Sequence, residues 1–185
     1  MVVKTSIRLD EDVLRMFQSS VIEEFGKLKG AQNEAFREAV LLWLAYKRGE
    51  PVVVLADDRS GRLMIVRASE VGGRLEALLS KRNPSLSIKP AGSLPYFHAG
   101  VISDVIKALV GKFGVPEEAE FRDLDRNVVV EKISGAPDSW EESLKAVQDG
   151  YGGRVELHLS WSKPRLRASI RPNYISIKKV MFPAF

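Results

Sequence analysis

Hydrophobic and polar positions alternate from Val3 to Leu9, and the polar side of that alternation consists of Lys4, Ser6 and Arg8. A period of two is that of a β-strand. Within two residues it gives way to helical spacing, carried by Val13, Leu14, Phe17, Val21, Phe25 and Leu28. Asp10 stands where an N-cap belongs, and Glu11 and Asp12 place negative charge in the first turn, where the helix dipole favours it. "GKLKGAQ" reads as the turn after this helix, which frays around Gly26. A second helix is predicted with Asn33 as its cap, Glu34 in its first turn and Phe36, Ala39, Val40, Trp43 and Leu44 on its apolar face. Leu41 and Leu42 widen that face to most of the circumference, so something outside the segment must bury it. Gly49 and Pro51 end the helix and place a boundary between a segment 1–50 and a segment 51–185.

The pattern beyond the boundary alternates short strands and helices. "VVVLA" (Val52 to Ala56) and "RLMIVRA" (Arg62 to Ala68), joined by "DDRSG", predict a β-hairpin. "SEVGGRLEALLSKR" predicts a helix, "SLSIKP" a strand, and "AGVISDVIKALVGKFG" the clearest helix of this half. "RNVVVEKI" follows as a strand, and "DSWEESLKAVQDGYGG" as a helix capped by Asp138 and stopped by glycines. Val155, Leu157, Leu159 and Trp161, then Leu166, Ala168 and Ile170, then Ile175 and Ile177, alternate with polar residues. Lys163-Pro164 and Pro172-Asn173 separate them, which predicts a three-stranded antiparallel meander with one buried face. No internal repeat is visible. The expected class is α+β, an N-terminal strand–helix–helix unit followed by an α+β domain with an antiparallel sheet.

Composition narrows the chemistry. A chain of 185 residues, 45% hydrophobic and 28% charged, has the make-up of a globular protein. It contains no cysteine, which excludes disulfides, thiolate metal sites and cysteine nucleophiles. With three Gln and four Asn it also resembles the depletion of thermolabile residues in thermophiles. The N-terminus lacks a basic region followed by an apolar core, and the longest apolar run, "AVLLWLAY", is far short of a membrane span, so a cytoplasmic protein without a membrane partner is expected. The net charge of +4 is uneven: residues 154–185 hold seven Lys/Arg against the single acid Glu156.

A strand with two free edges and a second helix apolar almost all round cannot form a core within fifty residues. Dimerisation solves both problems if two copies of the strand pair antiparallel and four helices wrap behind them, burying Ile7, Leu9, Phe17, Phe36 and Trp43. Over residues 3–47, "KTSIRLDEDVLRMF" and "GAQNEAFREAVLLWL" resemble the ribbon-helix-helix DNA-binding proteins, the group of the Arc, MetJ and CopG repressors. The resemblance implies an intertwined homodimer whose ribbon lies in the major groove of double-stranded DNA. It implies that Lys4, Ser6 and Arg8 contact bases, for which Arg and Lys suit guanine O6/N7 and Ser can donate or accept. It also implies phosphate contacts at the second helix N-terminus, here Asn33 with Lys27 and Lys29. The sequence departs from the family in a longer turn and in having Ala31 and Gln32 where a small hydroxyl residue is usual.

Other signals are weaker. Arg165, Arg167, Arg171 and Lys178 form a basic side of the C-terminal meander, with Glu156, His158, Ser160 and Ser176 beside them, a secondary face for nucleic acid or another anion. Nickel-type sensing needs several His and usually Cys; with only His98 and His158, no metal and no cofactor are expected. Asp57-Asp58, Glu117-Glu118 and Asp123/Asp125 lie beside Gly61, Pro116 or Asn127 and read as turn residues. Gly72-Gly73 and Gly152-Gly153 read as helix ends or interruptions rather than a phosphate loop, and "PYFH" (Pro95 to His98) as loop packing. The leading expectation is a non-enzymatic, homodimeric transcriptional regulator, with residues 51–185 serving oligomerisation or effector sensing. The alternatives are a plasmid-partition or antitoxin-type DNA-binding protein, and an RNA-binding or enzymatic 51–185 domain for which the N-terminal segment only dimerises.

Overall fold

Among the described residues, eight strands join one antiparallel sheet in the order β2-β1-β3-β8-β7-β6-β4-β5. The computed structural model describes residues 4–80, 84–92, 95–151 and 154–180; Val3 and the Gly152-Gly153 pair lie outside them. The elements are α1 (Glu11–Phe25), α2 (Gln32–Arg48), β1 (Val52–Asp57), β2 (Arg62–Arg67), α3 (Val71–Leu79), β3 (Ser85–Ala91), α4 (Ala99–Phe113), β4 (Glu118–Asp123), β5 (Val128–Lys132), α5 (Trp140–Tyr151), β6 (Val155–Trp161), β7 (Leu166–Arg171) and β8 (Tyr174–Lys179). Mixed helix and antiparallel sheet is the α+β class that the patterning predicts.

The alternation of each strand sorts its side chains onto two faces. On one face Val53, Leu55, Leu86, Ile88, Phe121, Leu157, Leu159, Ala168, Ile175 and Ile177 form a continuous core with Val71 and Leu75 of α3, Ile102, Ile106 and Leu109 of α4, and Trp140 and Leu144 of α5. Phe97 of "PYFH" joins that core, whereas Tyr96 stays exposed.

The chain order conceals a repeat. β1-β2-α3-β3 and β4-β5-α5-β6 are each a hairpin, a short 3-10 turn (Ala68–Glu70 and Pro137–Ser139), a helix and a strand that returns beside the first strand of its hairpin. Asp57 pairs with Leu86 in the first unit and Asp123 with Val155 in the second. Each aspartate is buried and caps its turn. Asp57 Oδ1 accepts the Arg59 N–H at 3.2 Å, and Asp123 Oδ1 accepts the N–H groups of Asp125 and Arg126 at 3.0 and 3.3 Å. The residue before the second strand is left-handed in both, Gly61 at φ 71° and Asn127 at φ 51°. β8 and β7 join the units at the centre of the sheet.

Several local expectations are corrected. β4 is a strand although Glu117-Glu118 and Asp123 read as turn residues; its sequence EAEFRD has poor strand propensity, and pairing to β5 and β6 overrides it. Asn33 does not cap α2, which starts at Gln32 with Ala31 in the cap position, because Ala31 is already helical at φ −83° and ψ −27°. Asp138 sits inside the 3-10 turn and ion-pairs with Lys107 at 3.4 Å instead of capping α5. Gly72 and Gly73 lie in the first turn of α3 without breaking it.

The N-terminal helix pair covers the other face of the first unit only. Leu41 and Ala45 of α2 pack on Val52, Ile65 and Ala91. The approach is close at Gly92, where a Cβ would stand 3.0 Å from the Ala45 Cβ and φ is 84°. Polar contacts fix the pair to β2: the Leu63 N–H donates to Glu24 at 2.6 Å, Arg62 pairs with Glu34 at 2.9 Å and lies over the Phe25 ring, and Arg37 bonds Glu70. Thus part of the burial that α2 demands is supplied within the same chain, across the boundary at residue 50.

Candidate nucleic-acid interface

Residues 4–10 precede α1 without strand pairing to any other described segment, and every one of them is exposed. Lys4, Ser6 and Arg8 are therefore free to meet a ligand, but so is the opposite side, where Ile7 is 55% exposed. Asp10 is extended at φ −62° and ψ 147° and leads into α1 at the N-cap position, without a side-chain cap bond.

The two helices behind this segment are each apolar on two sides. Val21 of α1 and Leu41 and Ala45 of α2 are buried within the chain, and Phe17 and Phe36 stack at a ring separation of 4.3 Å. Turned away from the sheet, Val13 and Met16 of α1 and Val40, Trp43 and Tyr46 of α2 are exposed. With 100° per residue, Val40, Trp43 and Tyr46 fall on the side of α2 opposite Leu41 and Ala45. Of the five residues expected in a dimer core, Phe17 and Phe36 are half-buried against each other, while Ile7, Leu9 and Trp43 are uncovered.

The turn between the helices holds Lys27 and Lys29, both exposed, close to the start of α2. Lys27 lines a cleft of about 440 Å³ with Glu24, Gly30, Glu34 and Arg62. Two carboxylates in that cleft oppose an anion, and the amides of Ala31 and Gln32 already donate to the Leu28 carbonyl at 3.3 Å. Asn33 is exposed in the first turn of α2. This end of the helix supports a phosphate less well than the exposed segment supports base contacts. Burial pushes the Glu38 carboxyl up, against the pull of the Ile65 backbone hydrogen bond.

The C-terminal strands carry a second polar surface on the face that α2 leaves open. Ser87, Ser176, Ser169 and His158 are cross-strand neighbours on β3, β8, β7 and β6. Glu156 is 4% exposed, with one carboxylate oxygen 3.1 Å from His158 Nε2 and the other 3.4 Å from Arg171 Nε. Burial raises its carboxyl, but the His158 and Arg171 contacts together outweigh it and hold the group below the ordinary carboxylate range. Glu120 is lowered chiefly by its hydrogen bond from Arg122 at 2.8 Å, with Lys132 at 3.7 Å.

Of the four cations expected on this face, Arg171 is thus neutralised by Glu156, and Arg165 lies in the β6–β7 turn rather than on a strand. Arg167 and Lys178 are exposed and directly opposite each other. Sequence reasoning missed this pairing, since the register that places two cations side by side exists only in the sheet. Among the described residues there is no cluster of three metal-ligating side chains, and no helix is long and apolar enough to cross a membrane. Comparison with protein-family models, curated proteins and solved structures gives no significant match to this chain, so family membership is not fixed by similarity.

Proposed function

We propose that this protein is a homodimeric, sequence-specific DNA-binding protein of ribbon-helix-helix type, acting as a transcriptional regulator. The observation that carries the reading is the unsatisfied state of the N-terminus: an exposed alternating segment, residues 4–9, stands before two helices whose outward sides leave Val13, Met16, Val40, Trp43 and Tyr46 in solvent. Exposed apolar surface of this kind marks an interaction site. A second copy of the same segment satisfies it. Two strands then pair antiparallel, Ile7 and Leu9 turn inward to the helices, and Lys4, Ser6 and Arg8 turn outward. A two-stranded ribbon fits the major groove, where each well-made base contact is worth about 1–3 kcal/mol of discrimination. Lys4 and Arg8 have no ion-pair partner among the described residues and keep their donors available.

Selection of bound sequences from a random duplex pool, followed by gel shift with Arg8→Ala and Lys4→Ala, tests the proposal. A palindromic or tandem consensus is expected, with each variant losing roughly tenfold or more in specific affinity, as for one lost bidentate contact in each half-site. Sequence-specific binding that both variants retain undiminished refutes the ribbon assignment.

A further inference from the structure

Several cations of the open face have a partner within the chain, and Lys89 lies over the Tyr174 ring at 5.7 Å. Arg171 is held by Glu156, and Arg122 and Lys132 by Glu120. Arg167 and Lys178 face each other in register across β7 and β8, and no carboxylate lies within ion-pair distance of either among the described residues. Like charges directly opposite in an antiparallel pair are destabilising. Their neighbours in the same row are Ser160 on the β6 side and Ser85 on the β3 side, whose hydroxyl donates to Asp58 at 3.2 Å.

A cleft of about 380 Å³ opens beside this pair, and its size is within the range of small-molecule sites. Arg165, Arg167, Ser160, Ser162 and Val180 line it, Glu117 and Glu118 stand on its far wall, and Lys178 lies outside the lining, across from Arg167. The indole N–H of Trp161 is committed to the Gly114 carbonyl at 2.8 Å, which fixes the ring. On the far wall Ser162 donates to Glu117, whereas the exposed Glu118, directly across from Ser160, retains acceptor capacity.

The geometry points to a binding site for a small phosphate monoester that carries hydroxyl groups. Arg167 and Lys178 take the phosphate on the open face, away from the wall that Glu117 and Glu118 form; a guanidinium offers paired donors and an ammonium a compact charge, and together they match a dianion. Glu118 accepts from a ligand hydroxyl two strands away, about 10 Å at ~4.8 Å per strand. The site is independent of the ribbon and lies on residues 51–185; on the regulator reading proposed above, it is where an anionic effector would bind.

Calorimetric titration of the full-length protein with AMP, adenosine and inorganic phosphate tests the site, alongside the double variant Arg167→Gln/Lys178→Gln. Saturable AMP binding is expected, with adenosine and inorganic phosphate each at least tenfold weaker and AMP binding by the double variant weakened at least tenfold. Because both side chains are exposed and repel each other, the unliganded variant should melt at or above the wild-type temperature. A lower melting temperature would show that the two cations are satisfied within the chain, and would overturn the assignment. Absence of AMP binding by the wild type, or equal binding by the variant, overturns it as well. Titration with a selected DNA duplex separates the other source of phosphate: the variant should bind duplex like the wild type, and a loss there would give these cations to the DNA backbone instead.

Discussion

Replacing Trp43 with alanine separates the two sides of α2. A covered tryptophan buries about 150–250 Å², so covering the 55% of Trp43 that the single chain exposes removes roughly 80–140 Å² per protomer. At ~25 cal/mol per Å² that amounts to about 4–7 kcal/mol for the two copies of a dimer. Ordering costs and imperfect fit take back a share; half of the lower estimate, about 2 kcal/mol, still weakens dimerisation roughly 30-fold. Sedimentation velocity across a concentration series reads the dissociation constant directly, and the wild-type melting temperature should rise with concentration. Leu41→Ala is the control from the opposite side of the helix. Leu41 is buried on Val52, Ile65 and Ala91 within the chain, so its truncation should cost about 2–5 kcal/mol and loosen the helix pair from the sheet at every concentration. A monomeric wild type at micromolar concentration, or a Trp43→Ala dimer of unchanged affinity, refutes the claim that this side of α2 is an interface.

Acid titration probes Glu156. Its folded-state carboxyl lies below the ordinary range, so the stability it contributes is present above the unfolded value of about 4.3 and is lost as pH falls through the lower folded value. Glu156→Gln should cost about 1.5–3 kcal/mol near neutrality by weakening the charged hydrogen bonds to His158 and Arg171, and the gap from wild type should narrow below pH ~4; a gap constant from pH 7 to 3 in urea denaturation would contradict this. The repeated turns make a paired prediction: Gly61→Ala should cost about 1–2 kcal/mol through left-handed backbone strain alone, since nothing lies within 4 Å of the added Cβ. Asn127→Gly at the matching position should be neutral or slightly stabilising, and thermal melts that show the two behaving alike would deny that the turns are equivalent.

Local patterning determined most of this protein's elements. The period-two runs of β6, β7 and β8 and the helical runs of α1, α2 and α4 are each set by which face a residue must bury, a property of neighbours along the chain. The demand of α2 for burial outside its own segment is also legible, from Leu41 and Leu42 beside Val40 and Trp43. Which surface meets that demand is not, because the answer depends on shape: Leu41 and Ala45 go to the sheet, while Val40 and Trp43 stay exposed. β4 escaped notice because its residues disfavour a strand and only pairing on both edges makes it one. The twofold repeat was hidden for a similar reason, since Leu55 and Phe121, or Val71 and Trp140, share a place in the core without sharing a side chain.

The alternation of Lys4, Ser6 and Arg8 was readable in the sequence, although residues 4–10 pair with no described strand and are exposed on both sides. The opposition of Arg167 and Lys178 was not, because cross-strand register brings together residues eleven positions apart and sends Arg171 to Glu156 instead. What each segment becomes is thus written in its own sequence, whereas which charges are left unpaired is decided only when the strands are set side by side.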